Sequence, residues 1–171
     1  RAGIVGAPIR LMIVGIPNVG KSSFINRMAQ SKKAKVEDRP GVTRTKQWVK
    51  IGDQMELLDM PGVLWPKFDD QEVAKRLAFT GAIKDDIMDL ESLAMLLLEF
   101  LAERYPKALE ARYKMQVSDA DSGLQLLEQL GRKRGMLISG GEVNYERAAI
   151  TVLDEFRSGT LGRLTLELPE A

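Results

Sequence analysis

The feature that most constrains this chain is a glycine-containing loop between an apolar run and an amphipathic run. Residues 11–14 (LMIV) are apolar, residues 15–22 read GIPNVGKS, and residues 21–28 (KSSFINRM) have helical spacing. A short apolar run that stops at glycine is typical of a buried strand. The pattern G-x-x-x-x-G-K-[ST] between a strand and a helix predicts a P-loop, a structure that binds phosphate groups.

Phosphate binding at such a loop has three physical sources. Glycines let backbone N–H groups point inward, the helix N-terminus adds partial positive charge, and Lys21 adds a full charge. The Ser22 hydroxyl is the type of ligand that suits a Mg²⁺ ion bound to the β- and γ-phosphates. The predicted nucleotide-binding residues of the loop are Gly15, Pro17, Asn18, Val19, Gly20, Lys21, Ser22 and Ser23. The alternative is an ordinary strand–helix turn that carries Lys-Ser by chance.

A second motif, DMPG at residues 59–62, directly follows the predicted strand of residues 55–58 (MELL), in which three of four residues are apolar. Ligands of open α/β sheets bind at the carboxyl ends of strands, so Asp59 is predicted to contribute to the Mg²⁺ shell. Gly62 is predicted to offer its N–H to a γ-phosphate, so that the loop beyond it reports whether that phosphate is present. The alternative is an ordinary surface turn.

A third segment, RPGVTRT at residues 39–45, lies between these motifs and carries two threonine hydroxyls. We choose Thr43 as the second hydroxyl ligand of Mg²⁺, with Thr45 as the alternative. Together the three segments predict a nucleotide hydrolase. Its predicted catalytic residues are Lys21, Thr43 and Gly62, and its predicted metal ligands are Ser22, Thr43 and Asp59.

The composition narrows the class of protein. The chain has 171 residues, of which 44% are hydrophobic and 29% charged, as expected for a globular protein rather than a disordered one. It contains no Cys and no His, which excludes disulfides, thiolate metal sites and histidine catalysis within these residues. The longest apolar stretch, residues 93–102, is about half the length that spans a bilayer. We therefore expect a cytoplasmic protein without a membrane partner.

The net charge of +1 conceals an asymmetry. Residues 1–80 carry 14 Lys and Arg against 8 Asp and Glu, a net of +6, whereas residues 81–171 carry 11 against 16, a net of −5. The first part is therefore favoured as the region that binds a polyanion.

The apolar pattern changes along the chain. Short runs at residues 11–14, 48–51 and 55–58 are typical of strands. Helical periodicity follows at residues 72–80, Leu90–Arg104, 122–134 and Tyr145–Arg157. The pattern predicts an α/β P-loop NTPase domain over residues 1–80 and an all-helical domain over residues 81–171, joined within residues 66–71 or 84–89.

These motifs resemble a known family. GIPNVGKSSFIN, PGVTRT and DMPG resemble the first three motifs of the translation-factor-like GTPases. The later part, with GRKRGMLISGGEVNYERAA and SGTLGRLTLELP, resembles the ribosome-assembly GTPases of the RbgA/YlqF family, and the likeness covers essentially the whole chain. The resemblance implies binding of GTP and GDP, hydrolysis with Mg²⁺, and a role in late maturation of the large ribosomal subunit with binding to rRNA. It also implies a circularly permuted G domain, in which the guanine-reading N-K-x-D motif precedes the P-loop.

The chain departs from that family pattern in its base-recognition motif. It contains no N-K-x-D motif, so we expect the base-recognition strands to lie in an N-terminal portion outside this chain. With three of about six strands, the sheet is expected to have an open edge. Val63 also stands where Ras-like proteins place a water-orienting glutamine, which predicts slow intrinsic hydrolysis.

The resemblance also implies a potassium site, because Asn18 stands where related GTPases place a K⁺-coordinating asparagine. The alternative is a loop side chain that bonds its own backbone.

Two basic clusters are the predicted contacts with rRNA and the large ribosomal subunit: Lys32, Lys33, Lys35, Arg132, Lys133 and Arg134. They can equally be solvated surface charges or complements of a helix dipole. A DNA partner is not expected. Two other functions stay open: an ATP-using P-loop protein, since the loop does not read the base, and a non-catalytic RNA-binding helical fragment.

Overall fold

The computed structural model describes residues 7–29, 46–52, 54–64, 69–85 and 88–167. The chain forms two compact units. The first comprises Arg1–Asp69 with Gly81–Lys84, and the second comprises Asp70–Thr80 with Asp85–Ala171. The segment 70–80 therefore groups with the later helices, and the domain limits 1–80 and 81–171 stay a prediction.

The first unit is built on a sheet of β1 (Ile9–Ile13), β2 (Gln47–Ile51) and β3 (Met55–Asp59), with α1 (Lys21–Met28) after β1. The strand order is β1-β3-β2, with β1 parallel and β2 antiparallel to β3. A parallel pair needs a long connection, and α1 lies on it. Because Ile13 pairs with Asp59 in the parallel register, the P-loop and the DMPG motif both follow the carboxyl ends of their strands, at the same end of the sheet.

The core of the first unit is small. Ile25 of α1, Val49 of β2 and Leu57 of β3 are buried together. Strand β1 is largely exposed, with Ile9 at 61% and Met12 at 58%. Within the described ranges β1 pairs only with β3. The partial sheet with an open edge, predicted from the strand count, is confirmed.

Within the described ranges, the helices of the second unit bury a larger apolar core than that of the first unit. They are α2 (Gln71–Phe79), α3 (Leu90–Arg104), α4 (Pro106–Tyr113), α5 (Gly123–Lys133) and α6 (Tyr145–Arg157). Helix α3 is central and packs against α4, α5 and α6. Its residues Leu97, Leu98 and Leu101 are fully buried.

Four of these helices have an N-cap residue whose side chain bonds to the first turn. Asp70, Asp89, Ser122 and Asn144 accept hydrogen bonds from first-turn N–H groups of α2, α3, α5 and α6. Such caps satisfy backbone donors that the helix itself leaves unpaired. Helix α4 begins without a side-chain cap, and the buried Tyr113 hydroxyl at its end has no hydrogen-bond partner among the described residues, so the second unit satisfies most but not all of these groups locally.

Two features of the second unit differ from the sequence prediction. Helix α4 lies between the predicted helices Leu90–Arg104 and 122–134, where no helix was predicted, and it begins at Pro106 because proline is favoured at the first position of a helix. The part predicted to be all-helical also contains an isolated antiparallel bridge between Leu137 and Val143.

Candidate functional site

The loop after β1 has the backbone conformation that its glycines and asparagine permit. Asn18 and Gly20 have φ of 59° and 87°, in the left-handed region. Gly20 is the N-cap residue of α1, and no side chain in the described ranges caps this helix. The first turn also carries Lys21 and no acidic residue. Its N–H groups and partial positive charge make the start of α1 suitable for an anion.

The Lys21 side chain folds back over this loop. Its Nζ donates a hydrogen bond of 2.6 Å to the carbonyl oxygen of Ile16. Burial lowers the pKa of Lys21 below its usual value, while the negative charge of Asp59 acts in the opposite direction. The loop thus holds a partly desolvated ammonium group close to the N-terminus of α1.

Asp59 is the buried charged residue at the end of β3. It has no exposed surface, and its Oδ2 accepts a hydrogen bond of 3.1 Å from Ser22 Oγ. Its Oδ1 is buried and lacks a hydrogen-bond partner among the described residues. A buried carboxylate oxygen without a partner is costly, so a group from outside the described residues is needed to satisfy it. A carboxylate and a hydroxyl are oxygen ligands of the kind that Mg²⁺ prefers.

Gln47 is a site residue that the sequence analysis missed. It begins β2, pairs with Asp59 in the antiparallel register, and its Nε2 donates to Asp59 Oδ2 at 3.3 Å. It stands just before the predicted strand of residues 48–51, and pairing of that strand with residues 55–58 as a hairpin, which was not predicted, places it opposite Asp59. The second hydrogen bond fixes the orientation of the carboxylate.

The DMPG turn lies directly on the P-loop. A Cβ added to Gly62 would lie 2.5 Å from the Pro17 backbone nitrogen, and Val63 N–H donates to the Gly15 carbonyl at 3.1 Å. Only glycine permits so close a backbone approach. The structure therefore brings together the two predicted motifs, with Gly62 against the loop.

Asn18 makes a long-range hydrogen bond. Its Nδ2 donates to the carbonyl oxygen of Gly81 at 2.9 Å, within the same compact unit. This bond joins the P-loop to the segment Gly81–Lys84, which follows 63 residues later in the chain. It differs from the local backbone bond that we considered as the alternative role for Asn18.

The other predicted residues of this site are placed as follows. Ser23 and Val19 are exposed, at the first turn of α1 and in the loop before it. Thr43 and its alternative Thr45 lie outside the described residues, as do Lys32, Lys33 and Lys35. Their predicted roles stay predictions.

The second basic cluster stands at the end of α5, and two of its three cations form ion pairs, one of them with Glu155, which also pairs with Arg112. Arg132 pairs with Glu128 at 2.8 Å, and Arg134 pairs with Glu155 at 3.0 Å. For Lys133, no ion pair forms with any residue that the structure describes. The three cations are therefore not equally available to an external anion.

The described residues hold no group of three or more His, Cys, Asp or Glu residues that could bind a metal ion. No helix in that part of the chain is long and apolar enough to cross a membrane. A metal at Asp59 would therefore need hydroxyl and phosphate oxygens as well.

The chain is similar to known proteins over nearly its full length. The family model described as "50S ribosome-binding GTPase" matches residues 10–129. "Ribosome biogenesis GTPase A" of Bacillus cereus is 49% identical over 98% of this chain and 56% of its own length. The relative of the same name in Bacillus pumilus is 48% identical and is covered over 60% of its length.

A solved structure of similar fold, "Crystal structure of GNP-bound YlqF from T. maritima", has a TM-score of 0.60 and 27% identity, with 94% of this chain and 60% of that chain covered. The chain thus spans between half and two thirds of the length of these relatives. The resemblance to the RbgA/YlqF proteins is confirmed, and the chain belongs to the family of 50S ribosome-binding GTPases.

Proposed function

We propose that this chain is the phosphate-binding and metal-binding part of a GTP-hydrolysing switch protein that acts in assembly of the large ribosomal subunit. The observation that carries the proposal is the buried Asp59 carboxylate, with one unpartnered oxygen, beside Ser22 at the start of α1. The names of the relatives, a ribosome biogenesis GTPase and a GNP-bound YlqF, support the guanine nucleotide and the ribosome.

The phosphates of GTP or GDP would bind at the P-loop. The loop glycines allow its N–H groups to face the phosphates, and the start of α1 adds partial positive charge. On binding, Lys21 would exchange its hydrogen bond to the Ile16 carbonyl for one to a phosphate oxygen. The proposed binding residues are Gly15, Pro17, Asn18, Val19, Gly20, Lys21, Ser22, Ser23 and Gly62.

Ser22 and Asp59 are proposed as ligands of Mg²⁺, with Thr43 as a further ligand. When bound, Mg²⁺ would neutralise charge on the β- and γ-phosphates. Ser22 and Asp59 fit the ion because their oxygens already lie 3.1 Å apart and Asp59 Oδ1 is buried without a partner among the described residues. Gln47 would act as a positioning residue that holds Asp59 in this orientation.

Hydrolysis would depend on charge stabilisation by Lys21, Thr43 and the N–H of Gly62. Val63 is 64% exposed and apolar, so it cannot orient an attacking water. We therefore propose slow hydrolysis by this chain alone. A K⁺ ion near Asn18 would add positive charge. The amide oxygen of Asn18 would face the ion, since the amide nitrogen donates a hydrogen bond to the Gly81 carbonyl.

The rest of the G domain would complete the sheet. We propose a circularly permuted domain whose base-reading strands pair with the open edge of β1, and whose later helices form the ribosome-binding part. Lys133 is the favoured rRNA contact of its cluster, since Arg132 and Arg134 are in ion pairs. Lys32, Lys33 and Lys35 remain candidates for the same role.

The proposal is tested by titrating the chain with a fluorescent GDP, with Mg²⁺ or with EDTA. We expect binding that Mg²⁺ strengthens, and we expect Asp59→Asn to abolish that dependence because the neutral amide is a poor Mg²⁺ ligand. The matched control is Asp154→Asn, an exposed carboxylate on α6. Equal binding with and without Mg²⁺, unchanged in Asp59→Asn, would contradict the proposed site.

Competition with unlabelled GTP and ATP separates the alternatives. Displacement by both is expected if the base-reading strands lie outside this chain. Displacement by ATP alone would favour an ATP-using protein. Binding to large ribosomal subunits that ignores the bound nucleotide would instead favour an RNA-binding fragment without a switch.

A further inference from the structure

The second unit contains a groove that the proposed nucleotide site does not use. Its volume is about 700 Å³. One wall is the face of α2 that carries Glu72 and Phe79, seven residues apart, and the other is the face of α3 that carries Leu96, Phe100 and Glu103. Residues 119–122, which precede α5, close one end. All these residues belong to one compact unit.

The floor of the groove is apolar. The rings of Phe79 and Phe100 lie with their centroids 6.5 Å apart and tilted by 41°. Leu96 is 38% exposed, although it stands on the same helix as the fully buried Leu97 and Leu98. Phe79 is buried against Phe100, so Leu96 and the half-buried Phe100 provide the apolar surface that a side chain from outside can contact, a common feature of interaction sites.

The rim of the groove is acidic. The lining residues include five carboxylates against two cations, a net charge of −3: Glu72, Glu99, Glu103, Asp119 and Asp121 against Lys75 and Arg76. Both cations are engaged, Lys75 with Glu72 and Arg76 with Glu167. Glu103 is exposed and forms no ion pair within the described ranges. Arg104 adds a third cation, with its guanidinium carbon 5.8 Å from the Phe100 ring centroid, and the groove then still has a net charge of −2, opposite in sign to the net charge of the chain.

Local structure holds this acidic wall in place. Glu99 Oε1 accepts a hydrogen bond of 2.8 Å from Gly123 N–H at the start of α5, and Asp121 Oδ2 accepts one of 2.9 Å from Ser118 N–H. A Cβ on Gly123 would lie 2.5 Å from the Met95 carbonyl oxygen, so α5 begins in direct contact with α3. The groove is thus formed before any partner binds, which lowers the entropy that binding would cost.

We propose that this groove binds a cationic peptide segment of a partner protein, with an apolar side chain over Leu96 and Phe100 and flanking Lys or Arg residues against the acidic rim. Charge complementarity selects this occupant, because the same carboxylates repel the phosphates of RNA. The inference extends the proposed function: on a particle made of RNA and protein, this surface would contact protein.

The test uses the full chain and a short fluorescein-labelled peptide that alternates Lys and Leu, followed by fluorescence anisotropy. A peptide that alternates Glu and Leu is the matched probe. We expect the Lys-Leu peptide to bind more tightly, and binding to weaken as salt is added. Equal binding of both peptides would overturn the proposal, since apolar contact alone would then suffice.

The groove is located by charge reversal. Glu103→Lys with Asp119→Lys should weaken binding of the Lys-Leu peptide about tenfold, because two attractive rim charges become repulsive. Glu110→Lys with Asp154→Lys is the control, with the same change in net charge at two exposed sites outside the groove. Equal loss in both double variants would mean that net charge alone attracts the peptide, and would overturn the assignment.

Two further readouts separate this inference from the proposed function. Fluorescent GDP should bind the groove variant as it binds the unchanged chain, so a failed groove leaves the nucleotide site intact. A single-stranded RNA that displaces the Lys-Leu peptide from the unchanged chain, but not from the groove variant, would assign the groove to RNA and overturn the proposal.

Discussion

Helices α1 and α5 begin in opposite ways. At α5, Ser122 and Gln125 form a capping box in which each side chain accepts a hydrogen bond from the other residue's backbone N–H. At α1, Gly20 occupies the N-cap in a left-handed conformation, and no described side chain caps the helix. The first arrangement completes a helix from within, whereas the second leaves backbone donors for a ligand.

The same contrast holds for the two compact units. The second unit buries a set of leucines around α3, and side chains cap α2, α3, α5 and α6. The apolar core cluster of the first unit contains three buried residues, β1 is largely exposed, and Asp59 Oδ1 has no hydrogen-bond partner among the described residues. A unit that must bind a ligand gives up stability at the binding site, and the ligand restores it on binding.

The largest expected effect is on the core of the second unit. Leu97→Ala should lower the free energy of unfolding by about 3 kcal/mol, because Leu97 is fully buried and the truncation leaves a cavity. Leu96→Ala, on the same helix but 38% exposed, should lower it by less than about 1 kcal/mol. Urea unfolding followed by circular dichroism measures both. Similar losses for the two variants would break the view that this unit depends on its own packed core.

A smaller effect is expected at the contact between the two motifs of the first unit. Gly62→Ala should weaken GDP binding by about 2 kcal/mol, because the added Cβ would lie 2.5 Å from the Pro17 backbone and must displace the loop. Gly52→Asn, in the β2–β3 turn with a φ of 60°, is the control, since asparagine tolerates that conformation. Calorimetric titration with GDP and Mg²⁺ measures the difference. Unchanged affinity in Gly62→Ala would show that the close approach is not needed for binding.

The cap of α5 should contribute less. Ser122→Ala removes the hydroxyl that accepts from Gln125 N–H and should destabilise the second unit by about 1 kcal/mol. Ser139→Ala, in the turn of residues 137–143, is the matched control. Thermal unfolding measures the loss of stability in each variant, and titration with GDP measures its affinity. A loss in GDP affinity equal to the loss in stability would argue against the separation of structural and ligand-binding helix starts.

The smallest effect concerns an acid-sensitive ion pair in the second unit. The hydrogen bond from Arg112 is the main cause that holds the pKa of Glu155 below its usual 4.5, and Arg134 adds to it. A depressed pKa in the folded state gives stability that is present above the unfolded-state pKa and is lost as the pH falls through the folded-state pKa.

Glu155→Gln should therefore reduce stability at neutral pH and flatten its decline below about pH 4.5. Urea unfolding over that pH range measures the slope, with Asp154→Asn as the control. An unchanged slope in Glu155→Gln would mean that other carboxylates account for the acid dependence.

Much of the fold follows from local sequence. The spacing of apolar residues gave the limits of α3 and α6, because both helices bury one face around the same core. The P-loop could be located because its conformation depends on residues adjacent in sequence, Gly20 above all. Helix α4 was missed because a proline after a helix fits both an end and a new beginning.

Other features depend on pairs that are distant in sequence. Gln47 contacts Asp59 only because of the hairpin register, and Asn18 reaches the Gly81 carbonyl only through the fold of the first unit. Likewise, the pairing of Arg134 with Glu155 could not be read from the run of three cations. Sequence patterns indicate which groups are present, whereas partners across the fold decide which of them remain available to ligands.

The measurement that tests the central contrast most directly is amide hydrogen exchange of this chain, with and without GDP and Mg²⁺. We predict that amides of β1 and α1 exchange faster than those of α3 and α6, and that GDP with Mg²⁺ slows exchange in the first unit only. Equal protection of both units without nucleotide, or protection by nucleotide confined to the second unit, would contradict the contrast.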